Sequence, residues 1–300
     1  MRAIQFDDYG PPSVLHLAEI DAPTAGHGQL QIRVAAAGVN PADFKWREGM
    51  FRNIHPVRLP HVVGYDVAGT VSALGSGVTS FKVGDRIVAS VRFGYAEFAV
   101  AAASACAKVP DDFDLGLAAA LPCAGLTGSQ MIEEGVRPRK GQTVLITGAT
   151  GAVGRLAVHA ALGLGVRVVA AVRPSYFDAA RQLGAQVVIP LEGDYTGNET
   201  FDHVADTVGG PAVANLCRHL VPGGSIITVS TTPIDPTGLP GTPTFFAYHP
   251  DGVRLEQIVK DVVSGTIAMP VAHRLPFASA AEAHRLMEAG GVGGKIILEP

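Results

Sequence analysis

The sequence predicts an α/β fold in which a β-rich part precedes a doubly wound parallel sheet. Three observations predict it. Short apolar runs separated by turn residues fill the chain as far as Leu121. Beyond Leu121 strand-like and helix-like runs alternate. A glycine turn at Thr147–Gly154 joins one of those strands to one of those helices.

Taken in order, Gln29–Ala36, Val67–Leu74, Arg86–Val91 and Ala96–Ala101 are rich in Val, Ile, Ala and aromatic residues. The turns Gly75-Ser76-Gly77, Gly84-Asp85 and Pro110-Asp111 lie between or after them, a spacing that suggests a compact antiparallel or barrel-like unit. Leu126–Glu134 reads as helix and Thr143–Thr147 as strand. Val153–Leu164 repeats its apolar residues at helical spacing, and Val166–Val172 is a continuous β-branched and Ala run. Tyr176–Leu183 reads as helix and Val187–Ile189 as strand. His203–Thr207, Val213–Leu220 and Ser225–Ser230 continue the alternation, which means βαβ units and a parallel sheet buried on both faces. Leu255–Ser264 is an amphipathic helix, and Val271–Pro300 holds two strand-like runs around a helix at Ala280–Ala289.

Composition excludes several functions. Hydrophobic residues make up 47% and charged residues 17%, enough for an ordinary core. The net charge is −4 with no long basic block, so no nucleic-acid partner is expected. No run of about 18 apolar residues is uninterrupted, so no membrane span is expected. The opening MRAIQFDDYG lacks the apolar core of a secretory signal. Three cysteines, Cys106, Cys123 and Cys217, form no CxxC pair, which fits a reducing cytoplasm.

The turn carries the chemistry. Ala149-Thr150-Gly151-Ala152-Val153-Gly154 is a dinucleotide fingerprint with Ala at the first glycine position. Gly151 lets backbone approach a pyrophosphate, Gly154 lets the helix pack on the strand, and the helix start presents free N–H groups. This makes the second half a Rossmann-type domain. An NAD-selective site places an acid at the end of the next strand. Here Val172 is followed by Arg173, Pro174, Ser175 and Tyr176, so Arg173 and Ser175 suit the 2′-phosphate of NADPH. The competing reading of Arg173 is a solvated surface cation.

Further motifs are Gly38–Gly49, Pro60–Val71, Phe81–Ile87, Leu121–Thr127, Phe201–Gly210, Leu220–Gly224, Ala280–Arg285 and Gly294–Leu298. Together they resemble the zinc-independent, quinone-oxidoreductase-like branch of the medium-chain dehydrogenase/reductase superfamily, over nearly the whole chain. The resemblance implies a GroES-like β-rich catalytic domain of residues 1–121 and 266–300. It implies a Rossmann NADP-binding domain of residues 122–265, with the active site in the cleft between them. It also implies a homodimer paired through edge strands, with Ser225–Thr231 and Phe245–Tyr248 supplying the edge. Zinc branches carry a Cys in the first motif, a His after the Gly of the second, and a third ligand just before Gly125. This chain has Asn40, Tyr65 and Ala124 there, so no metal is expected.

Without a metal, a quinone or an α,β-unsaturated carbonyl is the expected substrate, since conjugation already spreads the incoming charge. The alternatives are an enoyl reductase tailoring a natural product, or a dinucleotide-binding protein with little catalysis. Asn40 is the first candidate to hold the nicotinamide ribose or the substrate carbonyl, or else it is a turn residue before Pro41. Thr127, taken to lie at a helix start, approaches the nicotinamide by resemblance. Family members often carry Tyr where this chain has Phe51. Tyr65 then becomes the candidate donor, with a cleft-wall aromatic as the plainer reading. Asp43 is read as ordering the first motif. Thr207, Val208, Ser230 and Phe246 complete the expected cofactor contacts. No His is given a catalytic role.

Overall fold

The computed structural model describes residues 1–193 and 195–300, which form two compact units. Unit 1 is Met1–Cys123 with Pro250–Pro300, and unit 2 is Ala124–His249. The helix Gly252–Val263, expected in the Rossmann half, belongs to unit 1, where it packs on Cys106–Lys108. Its first residue explains the fit: a Cβ on Gly252 would lie 2.5 Å from the Cys106 carbonyl oxygen.

The long strand Gln29–Val39 organises unit 1. It pairs antiparallel with Asp66–Leu74, Phe98–Ala102 and Lys295–Glu299. Arg86–Ser90 and Cys106–Lys108 extend the sheet on one side, and Val271–Pro276 lies parallel to Lys295–Glu299 on the other. A smaller sheet joins His16–Glu19, Arg2–Phe6 and His61–Val62. Ile4, Phe6, Leu30, Ile32, Ile87 and Leu298 are among the residues of one core. The helices Pro41–Glu48 and Ala280–Ala289 contact each other. The consequence is that residues from both ends of the chain reach one buried place.

Unit 2 is a six-stranded parallel sheet. Its order is Val187–Pro190, Arg167–Val172, Thr143–Thr147, Phe201–Asp206, Leu220–Thr228 and Pro243–Phe245. Successive residues of the central strand serve opposite faces: Val144 and Ile146 join one core cluster and Leu145 the other. Both faces are therefore buried, and the strand reads as an unbroken apolar run. The chain winds outward from Thr143–Thr147 on one side and then resumes on the other at Phe201–Asp206. That reversal is the switch point at which such sheets bind ligands.

One local expectation changes. The helix expected at Leu126–Glu134 is Pro122–Gln130, running into a π-helical Met131–Val136. The stretch Leu115–Val136 is long and apolar enough to cross a membrane by length and composition. Its most apolar window is 83% buried within the protein, so its apolarity is that of a core segment.

Candidate active site

The site in unit 1 begins where the strand Gln29–Val39 ends. Asn40, in extended conformation, caps the helix Pro41–Glu48, and Pro41 at its first position needs no N–H partner. The Asp43 carboxylate accepts the Asn40 N–H at 2.7 Å, one half of a capping box. The Asn40 side chain is engaged at both ends. Its Oδ1 accepts from Lys295 Nζ at 2.6 Å, and its Nδ2 donates to Asp66 Oδ2 at 2.9 Å. Asp66 also accepts the Cys123 N–H at 2.8 Å, and Lys295 Nζ stands 3.5 Å from its Oδ2. Asn40, Asp43, Asp66 and Lys295 are all buried. Strand register delivers Lys295: its neighbour Ile296 pairs with Val39, next to Asn40.

A second line of buried groups leads away from Asp43. Tyr95 Oη donates to Asp43 Oδ2 at 2.8 Å and lies 3.4 Å from His284 Nε2. His284 Nδ1 is 3.5 Å from the Arg47 guanidinium, which pairs with Glu288 at 2.7 Å and Glu48 at 2.9 Å. Burial, reinforced by the Arg47 charge, pushes the His284 pKa down to about 3, so the ring is neutral. Burial pushes Asp43 up to about 7 despite the opposing bonds from Asn40 and Tyr95. Sequence reading assigned no role to Asp66, Tyr95, His284 or Lys295. The motifs that contain Asp66, His284 and Lys295 were visible, but nothing local to them signals the meeting.

Tyr65 is half-buried. Burial first, and then the Asp43 charge, raise the Tyr65 pKa, keeping the hydroxyl neutral. Phe51, which stands where relatives carry Tyr, packs on Trp46 with ring centroids 5.0 Å apart. Thr127 lies in unit 2 and is buried in the body of the helix Pro122–Gln130, not at its start.

These residue types do not make a zinc site. Asn40 offers an amide already spent on Lys295 and Asp66, Tyr65 a neutral phenol, and Ala124 no donor. His61 instead packs edge-on against Phe6 and Phe93. Among the described residues no group of three or more His, Cys, Asp or Glu is placed to hold a metal.

In unit 2 the fingerprint turn fits a dinucleotide. The helix Ala152–Gly163 begins after Gly151, and the Arg155 N–H donates to the Gly151 carbonyl at 3.0 Å. The N–H groups of Ala152, Val153 and Gly154 therefore precede the ladder, ready for a phosphate. A Cβ on Gly154 would lie 2.2 Å from the Gly148 carbonyl oxygen, so helix and turn close only with glycine there. A Cβ on Gly151 would meet only that same oxygen, at 3.2 Å, leaving its outer side open to a ligand. Ala149 is buried and Thr150 half-buried.

Past the next strand, the Arg173 guanidinium lies over the Tyr176 ring, 5.3 Å from its centroid, and Ser175 is exposed beside it. Thr207, Val208 and Ser230 follow the ends of their strands and are tied together. Thr207 Oγ1 donates to the Thr147 carbonyl, and Ser230 Oγ to the Val208 carbonyl. Their anchor, absent from the sequence reading, is buried Asp206. It accepts from Thr147 Oγ1 at 2.5 Å, Thr228 Oγ1 at 2.6 Å and the N–H groups of Val208 and Gly209. Phe246 packs partly buried against the core near Gly135, whereas its neighbour Phe245 is exposed on the edge strand.

Known proteins are similar to the chain over its whole length. Residues 26–111 match the family "Alcohol dehydrogenase GroES-like domain", and residues 183–298 the family "Zinc-binding dehydrogenase". The chain is 30% identical to a 2-methylene-furan-3-one reductase of Solanum lycopersicum, covering 100% of this chain and 79% of the relative. The quinone oxidoreductase of Coxiella burnetii superposes with a TM-score of 0.88 at 29% identity, over 100% of this chain and 99% of that one. A mycobacterial protein complexed with NADPH superposes with a TM-score of 0.85 at 31% identity, over 100% of both chains.

Proposed function

The chain belongs to the quinone-oxidoreductase-like branch of the medium-chain dehydrogenase/reductase superfamily, and on that ground we propose that it reduces quinones or α,β-unsaturated carbonyls with NADPH and without zinc. The observation that carries the reading is the fingerprint turn, which opens free N–H groups and a bare glycine toward a pyrophosphate. The names of the quinone and enone reductases above support the substrate class, and the NADPH complex supports the cofactor.

The bound dinucleotide supplies the hydride. Ala152, Val153 and Gly154 hold its pyrophosphate through their N–H groups. Arg173 grips the 2′-phosphate, and Ser175 adds a hydroxyl. Thr207, Val208, Ser230, Phe246 and Thr127 line the remainder of the dinucleotide. Tyr65 donates its O–H to the acceptor carbonyl, where charge develops. Asn40 keeps the wall behind the acceptor in place, because Lys295 and Asp66 already occupy its amide. The edge strand Pro243–Phe245, with Phe245 57% exposed, makes a homodimer through this sheet the proposed assembly. The three cysteines, odd in number and without a CxxC pair, support a reducing, cytoplasmic location.

The test is steady NADPH oxidation with a panel of quinones and enones, with elemental analysis of the same preparation. Turnover without stoichiometric zinc is the expected outcome. Cofactor binding without turnover of any acceptor would leave a dinucleotide-binding protein, and one zinc per chain would overturn the metal-free reading.

A further inference from the structure

We propose that Phe93, an exposed ring held in the left-handed backbone region beside Tyr65, is the platform on which a flat acceptor stacks, so that the site selects quinones over open-chain enones. The inference rests on the reductase reading above and narrows its substrate class.

The backbone shows how Phe93 is placed. Val91 N–H donates to the Tyr65 carbonyl at 2.9 Å, and Gly94 N–H donates to the Gly64 carbonyl at 3.0 Å. Gly64 and Tyr65 are consecutive, whereas Arg92 and Phe93 stand between Val91 and Gly94. These two residues therefore bulge out of the pairing next to Tyr65. Bulges of this kind re-aim a side chain and gather next to active sites. The pairing beyond the bulge is tight. Tyr95 N–H donates to the Val63 carbonyl at 3.0 Å, and a Cβ on Gly64 would lie 2.6 Å from the Tyr95 ring.

Phe93 carries the strain of the bulge. Its φ is 65°, a region that a bulky L-residue enters only at a cost. Glycine would adopt it freely, but Gly94 stands one position too late to do so. Burial does not offset the strain, because Phe93 stays 50% exposed. The ring is nevertheless held. It meets the His61 ring edge-on with centroids 5.3 Å apart, and His61 meets Phe6 edge-on at 5.5 Å. Phe6 is fully buried in the core. Strain that packing does not explain points to a functional site, and here it presents a fixed aromatic ring to solvent.

Chemistry then selects the ligand. The face of a phenyl ring is electron-rich and a quinone ring is electron-poor, so the two stack favourably. A quinone stacked there lies beside Tyr65, the proposed donor to its carbonyl. An open-chain enone has no ring to lay on the platform and gains little from it. Phe93 contacts the acceptor and takes no part in proton or hydride transfer.

Calorimetric titration of naphthoquinone onto the protein loaded with oxidised NADP tests the platform without turnover. Phe93→Leu keeps an apolar side chain and loses the ring, so it should weaken binding by about two- to tenfold, the range typical of one aromatic pair. Phe93→Tyr keeps the ring and should bind like the wild-type protein. Unchanged binding in Phe93→Leu, or an equal loss in Phe93→Tyr, overturns the proposal. In turnover, kcat/KM for naphthoquinone should fall by a similar factor in Phe93→Leu. For methyl vinyl ketone it should stay unchanged, as should KM for NADPH. An equal fall for both acceptors would mean that Phe93 only shapes the loop, and overturns the proposal too. If neither acceptor turns over, the reductase reading fails, while the titration still decides whether Phe93 binds a flat ring.

Discussion

In unit 2 the candidate site is made of backbone. Its N–H groups, its glycines and its strand ends lie within one βαβ stretch, with Asp206 as the side-chain anchor beneath. In unit 1 the candidate site is made of side chains. Asn40 meets Asp66 across 26 residues of sequence and Lys295 across 255. A backbone site fails when a Cβ enters it. A side-chain cluster fails when one charge loses its partner. The two should therefore break in different ways, and Lys295→Met should have the largest effect. It leaves Asp66 without its cation in a buried place, for which about 3–5 kcal/mol is typical. Urea unfolding measures it, and Lys295→Met combined with Asp66→Asn should recover part of the loss. A cost below about 1 kcal/mol would mean that the cluster is solvated, and the contrast between the units would collapse.

The same contrast explains what could be read from the sequence. The Thr147–Gly154 turn was legible because strand, turn and helix are consecutive and each has its own local pattern. The parallel sheet was legible for a similar reason: Val144, Leu145 and Ile146 are apolar in a row because both faces are buried. Lys295 was not legible as a buried cation. A lysine ahead of an apolar run reads as a solvated strand start, and only the antiparallel register with Val39 brings it to Asn40. His284 was hidden too: its helix was placed correctly, but its contact with Tyr95 joins positions 189 residues apart. Thr127 shows the opposite error. A motif fixed the residue, yet the helix begins at Pro122, earlier than the apolar spacing suggested. Asp206 escaped because a carboxylate at a strand end looks like a surface acid until its hydroxyl partners from the adjacent strands are known.

Gly154→Ala probes the backbone side of the contrast and should have the intermediate effect. The added Cβ would lie 2.2 Å from the Gly148 carbonyl oxygen, closer than real contacts allow, so helix and turn must separate. Overpacking of this kind costs about 1–3 kcal/mol. NADPH affinity should fall with it, because the N–H groups move off the pyrophosphate. Calorimetric titration and thermal unfolding read the two effects together. Unchanged affinity in a destabilised protein would detach the turn from cofactor binding.

Arg173→Ala should have the smallest effect and the most selective one. Arg173 is exposed, lies over the Tyr176 ring and caps a short helical turn through backbone alone, so its removal should hardly change stability. Its proposed work is recognition of one phosphate. If the guanidinium grips the 2′-phosphate, the wild-type protein should prefer NADPH over NADH by about tenfold, or about 1.4 kcal/mol. The variant should lose most of that preference by losing NADPH affinity, with NADH binding nearly unchanged. An exposed ion pair is screened by salt, so the wild-type preference should also shrink as ionic strength rises. A side chain that only stacks on Tyr176 predicts something else: a small, equal loss for both dinucleotides and no salt dependence of their ratio. Fluorescence titration of both cofactors at two salt concentrations separates the two. Equal affinities in the wild-type protein would move Arg173 out of the site and leave cofactor choice to Ser175 and the turn.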